Sequence, residues 1–222
     1  MTDEQDLVRW SEALAGIART GLAFTENLYE RERYEEVLNV AADIQAHLSD
    51  ADQPDKKIEE WMKSVGEGIP GYVTPKIAIG AVVGNENQEI LLIQRSDSGV
   101  WLFPTGFADI GYSAAEIAEK EVLEETGIEV EALRIISILD GVRGGFTRMP
   151  LYSIVFQCTV IGGTLKPHPL ECQDVGFFAQ DSLPEPLAGS GNWVNQAFRA
   201  IRGESIEVQF DTPRRPAWEK PE

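Results

Sequence analysis

Positive charge is scarce in this chain: 19 lysines and arginines stand against 37 aspartates and glutamates, a formal net charge of −18. Nucleic-acid and anionic-membrane binding both need basic surface, so the balance argues against either partner. A nucleotide-sized substrate stays open, because a divalent metal can supply the missing charge. Cysteine is rarer still. Cys158 and Cys172 have no metal-type spacing, and reduced thiols in a cytoplasmic protein are the expectation. The only histidines, His47 and His168, have no partner pattern. No apolar run reaches about 18 residues, so no membrane span is expected. The opening MTDEQDLVRW is acidic and lacks the basic-then-apolar order of a secretory signal.

What is present changes character near residue 70. Before it, apolar residues recur at helical spacing: Leu7, Trp10, Leu14 and Ile17, then Tyr34, Val37, Leu38, Ala41, Ile44 and Leu48. Gly21 reads as a helix stop, Thr25 as the N-cap of an acid-opened second helix, and KKIEEWMKSV as a third. Residues 1–70 are therefore expected to form a small all-helical domain. Its apolar stripe, from Trp10, Leu14 and Ile17 to Val37, Leu38, Ala41 and Ile44, exceeds what three short helices hide among themselves. It should then pack on the following part of the chain or on a second subunit, and a homodimer is the expectation.

GEGIPGYVTP, with three glycines and two prolines, then reads as a linker. Beyond it, KIAIGAVVG and EILLIQR flank NENQ as a hairpin, and VWLFP is a further short strand. VEALRIISILD, LYSIVFQCTVI and DVGFFAQ are later strands, and NWVNQAFRAI is a late helix. This order predicts the α/β class, as an α/β/α sandwich on a mixed sheet rather than a doubly wound one. DTPRRPAWEKPE, rich in proline, reads as a loose tail.

Between the strands lies KEVLEETG, with Glu121, Glu124 and Glu125 in five residues. SAAE just before it carries a capping-box signature, Ser113 to Glu116, so a helix is expected from about Ala114 to Thr126 with Gly127 as its left-handed cap. The three glutamates then share one stripe at the helix C-terminus, where the dipole already disfavours negative charge. A hard divalent cation reverses that penalty, and all-oxygen ligands suit magnesium or manganese. Ile117, Ala118 and Val122 face the core.

GFADIGYSAAEIAEKEVLEETGI, residues 106–128, resembles the Nudix box, G-x5-E-x7-R-E-U-x-E-E-x-G-U with U bulky and aliphatic. Gly106, Glu121, Val122, Glu124, Glu125, Gly127 and Ile128 match. Tyr112 stands where the family has its first Glu, and Lys120 where it has Arg. In the family that pair helps hold loop and helix together by charge. The lead-in SGVWLFPTG is similar to the family's G-x-W-x-L-P-G-G, with Thr105 replacing one glycine. The resemblance covers residues 74–203 and leaves 204–222 as a C-terminal tail. The helical domain ahead of it is similar to that of a bacterial Nudix subgroup that includes ADP-ribose and CDP-choline pyrophosphatases.

That resemblance implies metal-dependent hydrolysis of a nucleoside diphosphate linked to another group, with Mg²⁺ or Mn²⁺ on Glu121, Glu124 and Glu125 neutralising the diphosphate. Glu125 and Glu171 are the candidate general bases, with Asp174 behind them. Gly106 and Arg95 are expected at the substrate, and Arg143 and Arg148 of GVRGGFTR are candidate phosphate clamps. Trp101 is expected to pack in the core. Two alternatives remain: removal of damaged nucleoside triphosphates, and a non-catalytic module that binds a metabolite.

Overall fold

The first helix packs through its small residues and leaves its large ones outside. In the computed structural model, which describes residues 4–48, 54–63, 73–109, 111–189 and 192–213, helix α1 (Glu4–Phe24) buries Val8, Ser11, Ala15, Ala18 and Leu22. The stripe expected to exceed what the helices can hide lies, on α1, along the flank: Trp10 is 42% exposed and Ile17 61%. Both lines have helical spacing, so periodicity alone could not choose between them. Ser11 and Ala18 settle the matter by their size, because small side chains let helix backbones approach closely. The Ser11 hydroxyl donates to the Ala41 carbonyl of α2 (Leu28–Ala46) at 2.9 Å.

Gly21 belongs to the same seam. It does not stop the helix: a Cβ there would run into the Tyr34 ring of α2, so the glycine is a contact surface. Thr25 does not cap α2 either. Asn27 is the N-cap, accepting from Tyr29 N at 2.9 Å, while Thr25 Oγ1 accepts from Asn27 N and donates to Glu30. The third helix, α3 (Pro54–Met62), contributes Trp61 to the shared core of Ala15, Ala18, Leu22, Leu38, Ala41 and Ala42.

The chain divides into two compact units, Met1–Lys76 with Gly141–Leu151, and Ile77–Asp140 with Tyr152–Glu222. The glycine-rich segment Gly141–Leu151, expected inside the α/β part, thus groups with the helices, where Arg148 pairs with Glu4. The expected linker and Pro-rich tail lie mostly outside the described residues. Among the described residues no helix is long and apolar enough to cross a membrane.

The second unit is built on a mixed sheet of eight strands: β1 (Lys76–Gly84), β2 (Ile90–Arg95), β3 (Trp101–Leu102), β4 (Thr105–Phe107), β5 (Ile128–Asp140), β6 (Leu151–Gly163), β7 (Cys172–Phe178) and β8 (Gln209–Phe210). The order β3-β2-β1-β6-β5-β8 is flanked by two side pairings, β4 with β1 and β7 with β2. Strands β4 and β8 were not expected, and β8 lies in the supposed tail. It pairs in parallel with β5, and Asp211 accepts from Asp140 N at 2.7 Å, so the first part of the supposed tail is tied to the sheet.

Alternation along β1 makes the two helical layers. Ile79, Ala81 and Val83 face Ile117, Ala118 and Val122 of α4 (Ala114–Thr126). Gly80 and Gly84 face the other way, against Phe103 and against Ile201 of α5 (Asn192–Ile201). Phe103 meets the α5 residue Trp193 edge-on at 5.1 Å. The result is the α/β/α sandwich. Trp101 packs inside it, edge-on to Phe178 at 5.1 Å.

The helical unit holds one buried carboxylate that tests this packing. Glu12 is 8% exposed and accepts from Gln45 Nε2 at 3.4 Å. Burial raises its pKa above the ordinary 4.5, ahead of the opposing pull of Lys57 and Arg19. A raised folded value means that its favourable contribution is complete below the unfolded pKa and is lost as pH rises through the folded one. Glu12→Gln should therefore raise the thermal midpoint at pH 7 and leave it unchanged near pH 4. Melting curves across that range check the sign.

Candidate active site

Helix α4 begins and ends on strong local signals. Ser113 accepts from Glu116 N, the Glu116 carboxylate takes Ser113 N at 2.6 Å, and Gly127 closes the helix at φ 71°. These caps fix the last turns where the glutamates sit, and the three then divide. Glu125 is buried, 3% exposed, and Glu121 is half-buried. Glu124 is exposed and ion-paired with Lys120 at 2.8 Å. The expected single stripe is an inward pair and an outward third.

Strand β4, just ahead of the loop to α4, is shaped around the inward pair. Thr105 N donates to Glu125 Oε2 at 2.9 Å, and the Thr105 hydroxyl donates to the Ile79 carbonyl at 2.9 Å. Thr105, which replaces a family glycine, thus adds a side-chain tie between β4 and β1 while its amide serves Glu125. Next along, the Glu121 carboxylate lies against Gly106 in the place a Cβ would take. The glycine is there because no side chain fits.

Burial raises the pKa of both inward groups. Glu125 is pushed up to about 8, chiefly by desolvation; the Thr105 amide opposes this, Glu121 and Glu171 add to it, and Arg95 opposes it. Glu121 is raised by desolvation first, eased by Lys120 and reinforced by Glu124, Glu171 and Asp109. A cation at this place would favour both charged forms. As the side chains stand, no group of three or more His, Cys, Asp or Glu among the described residues is arranged to hold a metal ion. The fit to a hard divalent ion therefore rests on the donor set, one buried and one half-buried carboxylate that act on each other, and not on a finished coordination shell.

Lys120 takes over part of the missing family tie. It bonds Glu124 and also reaches Asp109 of the preceding loop at 3.3 Å, so loop and helix are still joined by charge. Tyr112, in the place of the family's first Glu, is exposed. Asp109 is a site residue that motif reasoning missed; its position opposite a lysine eleven residues on carries no local signal.

The remaining candidates separate. Glu171 is exposed and its charge acts on both Glu121 and Glu125. Asp174 accepts from Val175 N at 2.8 Å. Arg95 also acts on Glu125, but its guanidinium is forked onto Asp97 at 2.9 and 2.7 Å. Arg143 and Arg148 fall in the other compact unit, with Arg148 held by Glu4, and are not gathered with the glutamates within this one.

Residues 74–197 match the model of the NUDIX domain, and residues 5–62 match that of the UDP-X-like, N-terminal oligomerisation domain. The chain is 34% identical over 205 residues to the Bacillus subtilis (strain 168) protein YjhB, provisionally named an ADP-ribose pyrophosphatase; the match covers 90% of this chain and 95% of that one. Among solved structures, a UDP-X diphosphatase is similar over 94% of this chain and 99% of its own, at TM-score 0.57 and 26% identity. An ADP-ribose pyrophosphatase from Streptococcus suis 89-1591 is similar over 62% of this chain and 100% of its own, at TM-score 0.54 and 36% identity.

Gly106→Ala tests the site's geometry without touching a charge. The added methyl displaces the Glu121 carboxylate, and kcat should fall about a hundredfold, the penalty expected for an ångström-scale misplacement. The thermal midpoint should change little. Unaltered kcat in a folded variant would show that Glu121 need not lie against this loop.

Proposed function

The chain belongs to the Nudix hydrolase family, and we propose that it cleaves the diphosphate of a nucleoside diphosphate linked to another moiety, releasing a nucleoside monophosphate. The observation that carries this reading is the inward pair Glu121 and Glu125, one carboxylate half-buried against Gly106 of β4 and the other buried. Family members generally use divalent metal ions. Mg²⁺ or Mn²⁺ would be held by Glu121, Glu125 and Glu124, the last at the expense of its ion pair with Lys120. Held there, the ion would supply the positive charge that the diphosphate needs, in the ground state and as its bridge breaks.

The chain's own residues supply the rest. Thr105 N orients Glu125, and Gly106 lets the loop backbone close over Glu121. Glu171 is the proposed general base: it is exposed to solvent, where a water can reach it, and its charge is felt by both inward glutamates. Arg95 meets a substrate phosphate by exchanging one carboxylate, Asp97, for another anion.

Charge favours a diphosphate conjugate over a triphosphate. Lys120 and Arg95 are both already paired with acids, and the chain carries −18 overall. An additional phosphate charge meets a repulsive field. ADP-ribose is the first substrate to test, followed by CDP-choline and UDP-linked sugars. We place the enzyme in the cytoplasm, because Cys158 and Cys172 are buried free thiols.

We also propose a homodimer, formed through the flank of α1. Trp10, Ile17 and Phe24 recur every seventh residue and are 42%, 61% and 53% exposed, an apolar line fit for a second copy. The UDP-X-like oligomerisation description of this region supports it.

Glu125→Gln, which keeps shape and removes charge, should lower kcat by about a hundredfold or more, and EDTA should abolish turnover of the wild type. Chromatography should find a nucleoside monophosphate from ADP-ribose or another conjugate at a kcat/KM at least about tenfold above any triphosphate, a difference of 1.4 kcal/mol. Pyrophosphate released fastest from a triphosphate would favour the house-cleaning reading, and tight binding without turnover a non-catalytic module. Light scattering should give twice the 24.6 kDa chain mass for the wild type and one chain mass for Trp10→Glu with Ile17→Glu. A wild type that is monomeric across the micromolar range contradicts the dimer.

A further inference from the structure

The C-terminal carbonyls of a helix lack partners within the helix, and α4 finds them in an unusual place. Thr164 N donates to Gly127 O at 3.0 Å, Lys166 N to Thr126 O at 2.8 Å and His168 N to Glu125 O at 3.1 Å. Every second amide of the segment is used. The alternate positions 167 and 169 are both proline, residues that have no amide to offer and that restrict the backbone. The segment TLKPHPLEC is thus laid antiparallel to the last residues of the catalytic helix, with proline at two of the three alternate positions, 167 and 169, and Leu165 at the third.

The same segment ends on Glu171. Cys172 N donates to His168 O at 3.0 Å and closes a turn over Pro169, Leu170 and Glu171. Ser96 N donates to Glu171 O at 2.8 Å, anchoring the turn to the end of β2. Glu171 is therefore fixed from both sides, through His168 to the backbone of Glu125 and through its own carbonyl to Ser96. The His168 ring plays no visible part in this: its Nδ1 is buried and has no hydrogen-bond partner among the described residues.

We propose that residues 164–172 are a positioning strap, in which the amide of His168 and the flanking Pro167 and Pro169 set the Glu171 carboxylate beside the Glu121–Glu125 pair. The proposal rests on the reading of Glu171 as general base and adds how an exposed loop carboxylate is held to the register of the helix that it serves. The strap acts through Glu171 and touches no substrate. Stiffness is its function, since a loop free to move by an ångström forfeits much of the benefit of a placed base.

A double-mutant cycle separates the two ideas, using the full-length protein and the conjugate that it hydrolyses best. Pro167→Gly with Pro169→Gly should lower kcat about tenfold with KM within about twofold, the loss expected of a misplaced base. In the Glu171→Gln background the same pair of changes should cause no further loss. His168→Ala, which keeps the amide, should stay within about twofold of wild type, because the ring is not used. Amide hydrogen exchange gives a readout independent of catalysis: residues 164, 166 and 168 should be protected in the wild type and exchange faster in the double glycine variant, with the thermal midpoint nearly unchanged. Equal losses in both backgrounds, undiminished kcat in the glycine variant, or a His168→Ala defect as large as that of Glu171→Gln would overturn the strap. Full activity of Glu171→Gln alone would sink the general-base reading and the strap with it, whereas a Glu171→Gln defect with intact activity of the glycine variant removes only the strap.

Discussion

One hydrogen bond organises the catalytic end of this protein: Thr105 N to the buried carboxylate of Glu125, at 2.9 Å. A carboxylate that is 3% exposed is expensive to ionise, and this one is pushed up to about 8. The amide favours its charged form and also fixes where the loop must run. With Thr105 placed there, Gly106 falls against Glu121, and the two inward carboxylates become neighbours. The sheet supplies the rigidity for this, since the Thr105 hydroxyl is tied to Ile79 of the central strand. The helix supplies the other half through a capping box at one end and a left-handed glycine at the other.

The departures from the family motif then have a physical reading. Replacing the first Glu by Tyr112 and the Arg by Lys120 removes an ion pair, yet Lys120 reaches Asp109 and Glu124 at once. An exposed pair of this kind contributes little to stability. Its consequence is on geometry: it keeps the loop near the helix and draws Glu124 away from Glu121 and Glu125. A divalent ion held as proposed would therefore compete with Lys120 for Glu124.

Much of this was legible in the sequence because it depends on local rules. The capping box, Gly127, the strands from Lys76 to Arg95 and the late helix all follow from neighbours within a few residues, and the structure has them. Three features were not legible, for one shared reason: each depends on a partner distant in sequence. Which face of α1 turns inward is decided by the fit of Ser11, Ala15 and Ala18 against α2, and Trp10 and Ile17 are the surplus left outside. Strand β8 exists only because β5 offers it an edge. The amides of 164, 166 and 168 have meaning only beside the end of α4. The arginines illustrate the same limit. A glycine-rich loop with Arg143 and Arg148 resembles a phosphate clamp in one dimension, but Arg148 is held by Glu4 in the helical unit.

The central claim is that Glu121 and Glu125 form a cation site although burial disfavours their charge. Mn²⁺ binding followed by electron paramagnetic resonance, on protein stripped of metal and without substrate, tests it most directly. The account predicts a bound ion in the wild type that is lost or greatly weakened in Glu121→Gln and in Glu125→Gln, with affinity rising with pH because binding releases the Glu125 proton. Mn²⁺ held equally well by the wild type and both variants would contradict it.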